Sequence, residues 1–310
     1  MNRVKVLNIS GWGRSGSTIV GSVMGQFDGF FYGGELRNIW NMSLIRNRLC
    51  GCGVEFKECK LWRKIFNEAF GGMEKVNAEK ITKIMQSTTR SRHIPLRFLP
   101  YADRLFISRL REYLDAVRKL FTSIKSIVSS KVIVDSSKSS LYGYALSLIP
   151  EIDVYVVHLI RDPRGVSYSR QKTMLQPNNG EEIYMQRFST FDSSLIWDIR
   201  NVATESYWKN KPGKYLMVRY EDFASSPKKT ISKILNFVNE DPPLSPFITD
   251  SKIEIKSNHS VWGNPSRFKT GLVELKLDEE WKRKMGKLDK FLSTTLTFPW
   301  LLKYGYSAKS

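Results

Sequence analysis

Apolar positions along the 310-residue chain fall into two alternating patterns. Short apolar runs such as Val4, Val6, Leu7 and Ile9 stop at glycine or polar residues, as strands do, and between them lie longer stretches with apolar residues at helical spacing. The first run passes through Gly11 to Thr18, reading GWGRSGST, into the helical positions Ile19, Val20, Val23 and Met24. Gly29 to Glu35, GFFYGGE, predicts a short buried strand ending in a turn, with Glu35 at its end. Leu61 to Phe70, Ala78 to Met85 and Leu105 to Ile127 read as amphipathic helices, so residues 53–128 form a helical insertion.

Beyond the insertion, Lys131 to Val134 predicts a strand closing on Asp135, Ser136, Ser137 and Lys138, followed by a helix near Tyr142 to Leu148. Val154 to Ile160 is almost continuously apolar, the pattern of a central parallel strand buried on both faces. It ends in Arg161, Asp162, Pro163 and Arg164, where Pro163 suits the first position of a helix. Phe191 to Trp208 and Pro227 to Val238 are helical, with a strand at Tyr215 to Val218 between them. The alternation predicts an α/β fold, a central, mostly parallel sheet flanked by helices, with residues 1–310 as a single domain. Ligands bind such sheets at the carboxyl ends of the strands, which gathers Arg14, Glu35, Lys138, Arg161 and Tyr220 along one edge.

Composition adds a charge argument. Lys and Arg number 49 against 30 Asp and Glu, a formal charge of +19, so the summed field attracts anions. The basic residues are scattered and form no tail or RGG-like tract, which argues against a dedicated nucleic-acid binder. The start, MNRVKVLNIS, has no apolar leader, and runs such as Ser139 to Pro150 are too short and polar to span a membrane. The expectation is a cytoplasmic protein without stable membrane insertion. Cys50, Cys52 and Cys59 cannot all pair, and C-x-C-x₆-C lacks both a fourth Cys and the C-x₂-C spacing of a structural zinc site. Reduced thiols are therefore expected ahead of a local disulfide, and ahead of a metal completed by a distant His.

The glycine-rich loop carries the clearest chemistry. A strand entering a tight turn and then a helix aims backbone N–H groups and the positive end of a helix dipole at one spot, an anion cradle. A plain glycine turn with an incidental Arg is the alternative for an isolated match. Gly11, Gly16 and Thr18 have the spacing of a Walker A loop, but Ser17 stands where that loop has its Lys. The strong cation is Arg14, which weakens an ATP- or GTP-hydrolysing assignment. A second segment, Arg161 to Ser169, reads RDPRGVSYS and sets a hydroxyl about two helical turns beyond an Arg fork. Alone, that Arg could equally pair with Asp162.

Taken together, GWGRSGST and RDPRGVSYS resemble the paired signatures of sulfotransferases that use 3′-phosphoadenosine 5′-phosphosulfate (PAPS). LMVRYEDF, Leu216 to Phe223, and HSVWGNPSRFKTG, His259 to Gly271, are similar to a strand-and-turn and a late loop of the same family. The resemblance implies a P-loop-NTPase-like sulfotransferase fold, PAPS as co-substrate, 3′-phosphoadenosine 5′-phosphate (PAP) as product, and no metal. It implies that Arg14, Ser15, Gly16, Ser17 and Thr18 hold the 5′-phosphosulfate. Arg161 and Ser169, with Arg267 and Lys269, would hold the 3′-phosphate, and Tyr220 would contact the nucleotide.

For the base that accepts the acceptor's proton, many cytosolic members have a His after a middle strand, where this chain has VDSSK. Members resembling tyrosylprotein sulfotransferases place a Glu in a G-E pair after the second strand, which matches Gly34-Glu35, and Arg14 matches their loop cation. Glu35 is thus the expected catalytic base, unless it serves only as the ion-pair partner of Arg14. Lys138 matches a Lys that stabilises the sulfuryl group, and His93 is the second candidate base. His158, inside an apolar strand, reads as a satisfied core residue. Phe98, Tyr101, Phe106, Tyr184 and Phe188 read as core or as walls of an acceptor pocket. The expected acceptor is a hydroxyl or amine of a small metabolite or natural product, with a carbohydrate or glycan as the alternative. A P-loop kinase or NTPase and a basic nucleic-acid-binding module are the rival classes.

Overall fold

The computed structural model describes residues 3–89, 91–178, 182–243 and 245–308. Five parallel strands form the central sheet: β1 (Val4–Gly11), β2 (Phe30–Gly34), β3 (Val132–Lys138), β4 (Ile152–Ile160) and, further along the chain, Tyr215–Arg219. Two two-residue strands, β5 (Leu175–Gln176) and β6 (Ile183–Tyr184), pair antiparallel outside it, so Tyr215–Arg219 is β7. The order in the sheet is β2-β3-β1-β4-β7. β1 therefore lies at the centre, with the tip of β3 on one side (Ser10 opposite Lys138) and β4 on the other (Gly11 opposite Leu159).

Side-chain alternation along the strands divides the core into two. On one face Val4, Val6, Ile133, Val154 and Val156 pack with the helices of the insertion, through Trp62, Phe66, Leu110 and Val117. Leu7, Ile9, Val134, Val157 and Leu159 pack on the opposite face with the helix after the glycine-rich loop. A parallel sheet covered on both faces is built from such near-continuous apolar strands. The insertion supplies α2 (Lys60–Phe70), α3 (Ala78–Thr88) and α4 (Ala102–Val128), following α1 (Ser17–Met24).

α5 (Ser140–Ser147) and α6 (Pro163–Gln171) start where β3 and β4 end. They are followed by α7 (Thr190–Trp208), α8 (Tyr220–Ser225) and α9 (Pro227–Phe237). A late hairpin of β8 (Lys252–Ile255) and β9 (Gly271–Glu274) leads to α10 (Glu280–Lys284) and α11 (Lys287–Lys303). His158 is fully buried in β4, its ring nitrogens 2.8 Å from the Tyr215 hydroxyl and 3.0 Å from Asn201 Oδ1, a satisfied core histidine. No helix among the described residues is long and apolar enough to cross a membrane.

Candidate active site

The carboxyl ends of the five strands open on one cavity of about 700 Å³. Arg14, Glu35, Lys138, Arg161 and Tyr220, the residues the strand-end rule gathers, all line it. At its floor the β1–α1 loop turns at Gly16, whose φ is +86° and whose absent Cβ would lie 2.7 Å from the Tyr220 ring. Only glycine combines that left-handed backbone with room for the ring. Ser17 and Thr18 open α1 beside it, where the helix's first N–H groups lack intrahelical partners. Ser15 is buried, and its side chain is not part of the cavity wall.

The two catalytic candidates at the far side belong together. Glu35 Oε1 accepts a hydrogen bond from Lys138 Nζ, and Glu35 Oε2 accepts one from Asn38 Nδ2 at 2.8 Å. The Glu35 amide donates to Val261 O (2.8 Å), and Lys138 Nζ also donates to Ser136 O (2.9 Å). The carboxylate's ion-pair partner is thus Lys138 and not Arg14. Arg14 instead points Nη1 at Met174 Sδ (2.6 Å), and its Nε and Nη2 are buried without a partner. Burial lowers the Arg14 guanidinium below its ordinary value, and neighbouring Arg161 lowers it further.

At the β4 end of the cavity, Arg161 donates to Arg14 O and to both Asp278 O and Oδ2, each at 3.1 Å, with its guanidinium 4.5 Å from the Tyr220 ring. Asp162 does not pair with Arg161. It caps α6 through the Arg164 amide and pairs with the Arg164 side chain. Arg161 is left facing the cavity, which Ser169 and Lys269 also line.

Arg267 departs from the sequence expectation. It is 2% exposed, lies outside the cavity wall, and donates to Ser260 O (2.7 Å) and Leu49 O (2.6 Å), so it joins two loops and does not face a ligand. His93 is also absent from the wall. Of the proposed aromatics only Phe106 is core; Phe98, Tyr101 and Tyr184 are exposed, and Phe188 packs edge-on against Trp12. Apolar wall is supplied instead by Trp12, Met174, Met185 and Trp262.

Three arginines that sequence reasoning missed also line the cavity: Arg37, Arg170 and Arg200. Arg170 and Arg200 lie over Trp12, 4.3 and 5.7 Å from its ring centre. Among the described residues none of the three has an acidic partner, and each has a buried Nε without an acceptor, as does Trp12 Nε1. Burial pushes Arg170 and Arg200 down to about 10. Nothing local marks these residues in the sequence, because their convergence depends on how the turn after β2, α6 and α7 lie across the strand ends. Around the cavity eight basic side chains face three acidic ones, so it attracts anions.

A sequence profile described as Sulfotransferase family matches residues 7–242. The chain belongs to that family. It is 23% identical over 261 residues to mouse carbohydrate sulfotransferase 4, covering 77% of this chain and 66% of the relative. It is 29% identical over 100 residues to human carbohydrate sulfotransferase 1, covering 29% of this chain. The chain thus spans about a quarter of the length of carbohydrate sulfotransferase 1 and 66% of that of carbohydrate sulfotransferase 4. The sulfotransferase domain from the curacin biosynthetic pathway shares the fold, with a TM-score of 0.53 at 15% identity over 98% of this chain and 99% of that one.

Proposed function

We propose that this sulfotransferase-family chain moves the sulfuryl group of PAPS to a hydroxyl or amine of an acceptor held beside Glu35. One observation carries the reading: Arg14, Arg37, Arg170 and Arg200 line a single cavity, and among the described residues none of them has a carboxylate partner. Guanidinium groups without a counter-charge attract anions, so the cavity suits a ligand rich in anionic oxygens. The glycine cradle fits the 5′ end of such a ligand, and Arg161, Ser169 and Lys269 fit its 3′-phosphate. When bound, PAPS supplies an activated sulfuryl group.

This chain's residues do the rest. Loop amides, Arg14, Ser17 and Thr18 neutralise charge at the leaving end, as in phosphoryl transfer, where positioning and electrostatics dominate. Glu35 Oε1 takes the acceptor proton, and Lys138, released from the ion pair, turns to the sulfuryl oxygens. No catalytic metal enters this scheme.

The arginines on the acceptor side support an acceptor that itself carries an acidic group, a metabolite or natural product in the first reading. A carbohydrate acceptor is the second, favoured by the relatives named carbohydrate sulfotransferases. The same reading treats residues 1–310 as one cytoplasmic domain.

The test is incubation with sulfur-labelled PAPS and matched anionic and neutral acceptors, with mass detection of the added sulfate and calorimetry of PAP in EDTA. Metal-independent PAP binding with transfer is expected. Mg²⁺-dependent ATP binding without PAP binding would turn the assignment to a kinase. Retention on nucleic acid with steep salt dependence and no response to PAP would turn it to a nucleic-acid binder.

A further inference from the structure

Away from the cavity, the fold brings Cys50, Cys52, Cys59 and His259 together. One ligand atom from each, the three sulfurs and a ring nitrogen, lies within 4.8 Å of all the others. Cys50 Sγ is 3.8 Å and Cys59 Sγ 3.3 Å from His259 Nδ1, and the Cys52 and Cys59 sulfurs are 3.9 Å apart. Zinc bonds of about 2.3 Å to sulfur and 2.0–2.1 Å to nitrogen in a tetrahedron put ligand atoms about 3.5–3.8 Å apart. The cluster therefore has the size of a Cys₃His zinc shell, and the Cys52 and Cys59 sulfurs are free thiols, not joined to each other. We propose that Cys50, Cys52, Cys59 and His259 bind one structural Zn²⁺.

Three further features fit that assignment. The peptide between Cys50 and Cys52 folds as a tight knuckle: Cys50 N donates to Val54 O (2.8 Å) and Gly53 N to Cys50 O (2.9 Å), with Gly53 at φ +89°. The chain around the histidine is held from outside, since Trp62 Nε1 donates to His259 O at 2.8 Å. Such partners orient metal ligands. Three thiolates and one neutral imidazole around Zn²⁺ leave a net charge of −1. Buried Arg267, held by Leu49 O and Ser260 O, the neighbours of Cys50 and His259, sets a positive charge beside the cluster that would offset it.

Four protein ligands leave no open position, so the ion would brace the fold and take no part in the transfer chemistry. What it braces bears on Glu35. Gly51 N donates to Ser260 O (3.0 Å), and the next residue, Val261, is hydrogen-bonded both to Gly33 and to the Glu35 amide. Binding would release a proton from each thiol that is protonated beforehand, so zinc affinity should fall as pH drops.

The experiment uses the full chain, expressed in zinc-supplemented medium and purified without chelator, with zinc measured by mass spectrometry of the metal. About one Zn²⁺ per chain is expected. After zinc removal, Co²⁺ added alone should give the intense visible bands and sulfur-to-metal charge transfer of a tetrahedral thiolate site. His259→Ala and Cys59→Ser should lower zinc content at least about tenfold, whereas His259→Cys, which restores a fourth soft ligand, should keep it. Because His259→Cys differs from His259→Ala only in that ligand, its retention separates coordination from misfolding. A wild-type chain with less than about a tenth of an equivalent of zinc and no Co²⁺ bands would overturn the proposal. So would a native disulfide, seen as a loss of two hydrogens from the intact mass.

Discussion

Glu35→Gln separates proton transfer from nucleotide binding. Gln has the size of Glu and keeps one acceptor oxygen, but it has no charge and cannot take a proton. In the structure Glu35 accepts from Lys138 on Oε1 and from Asn38 on Oε2, so Gln can serve only one of them as acceptor and turns an NH₂ toward the other. Both charged partners are partly shielded, with side-chain exposures of 17% and 13%, and the lost bond should cost about 1–2 kcal/mol of folding stability. Loss of general-base catalysis costs more, about 10²- to 10⁴-fold in kcat, or roughly 3–5 kcal/mol of barrier. The assay is single-turnover transfer from labelled PAPS at saturating donor, well below the melting temperature. PAP affinity, measured by calorimetry, should change less than about twofold, because the donors of the loop do not touch Glu35. A kcat within about threefold of the parent would refute the base assignment. No replacement is close at hand: His93 does not line the cavity, and the other acids there, Glu274 and Asp278, pair with Lys276 and Arg161.

Arg14→Ala and Arg161→Ala each remove a charged donor from the phosphate end and should weaken PAP binding about 10- to 150-fold by calorimetry; unchanged affinity would remove them from the site. Arg200→Met should raise KM for an anionic acceptor about tenfold or more while leaving a neutral analogue nearly unaffected, and an equal rise for both would argue against charge recognition. His158 gives a pH signature. Burial holds its imidazolium down to about 4, against about 6.5 in the unfolded chain, so between those values the unfolded state binds more protons. Stability from this residue is therefore complete above pH 6.5 and falls by up to about 3 kcal/mol as pH drops to 4. Urea titrations across that range should show the parent losing up to about 3 kcal/mol relative to His158→Gln as pH drops, because groups common to both chains cancel in the difference, and parallel curves would contradict it.

Those features that depend on local pattern were legible in the sequence. Val4 to Ile9 and Val154 to Ile160 showed themselves as strands because burial on both faces demands continuous apolar residues, and Gly16 and Pro163 marked the turns that follow. The strand-end rule then placed Arg14, Glu35, Lys138, Arg161 and Tyr220 in one cavity. What stayed hidden depends on residues far apart in the chain. The C-x-C-x₆-C spacing left open whether a distant His joins it, and which one could not be read locally, since His259, brought beside the thiols by the fold, lies 209 positions beyond Cys50. Arg267 sat in a motif that suggested phosphate contact, yet its guanidinium finds two carbonyls from separate loops. α11 had no clear helical face, since Leu288 and Phe291 are exposed and Pro299 lies within it.

The strand order has a consequence for how such a protein can change. Reading across the sheet, β2 carries Glu35, β3 Lys138, β1 the cradle, β4 Arg161 and β7 leads into Tyr220. At about 4.8 Å between neighbours, this spreads these side chains over roughly 19 Å of sheet edge. In the proposed reading the donor lies over β1, β4 and β7, and the acceptor's reacting group approaches from the side of β2 and β3. On that reading, mutations near β2, or in the insertion packed beside it, would reshape what is sulfated while β4 and β7 keep the donor in place, so new acceptors could be acquired without rebuilding donor recognition.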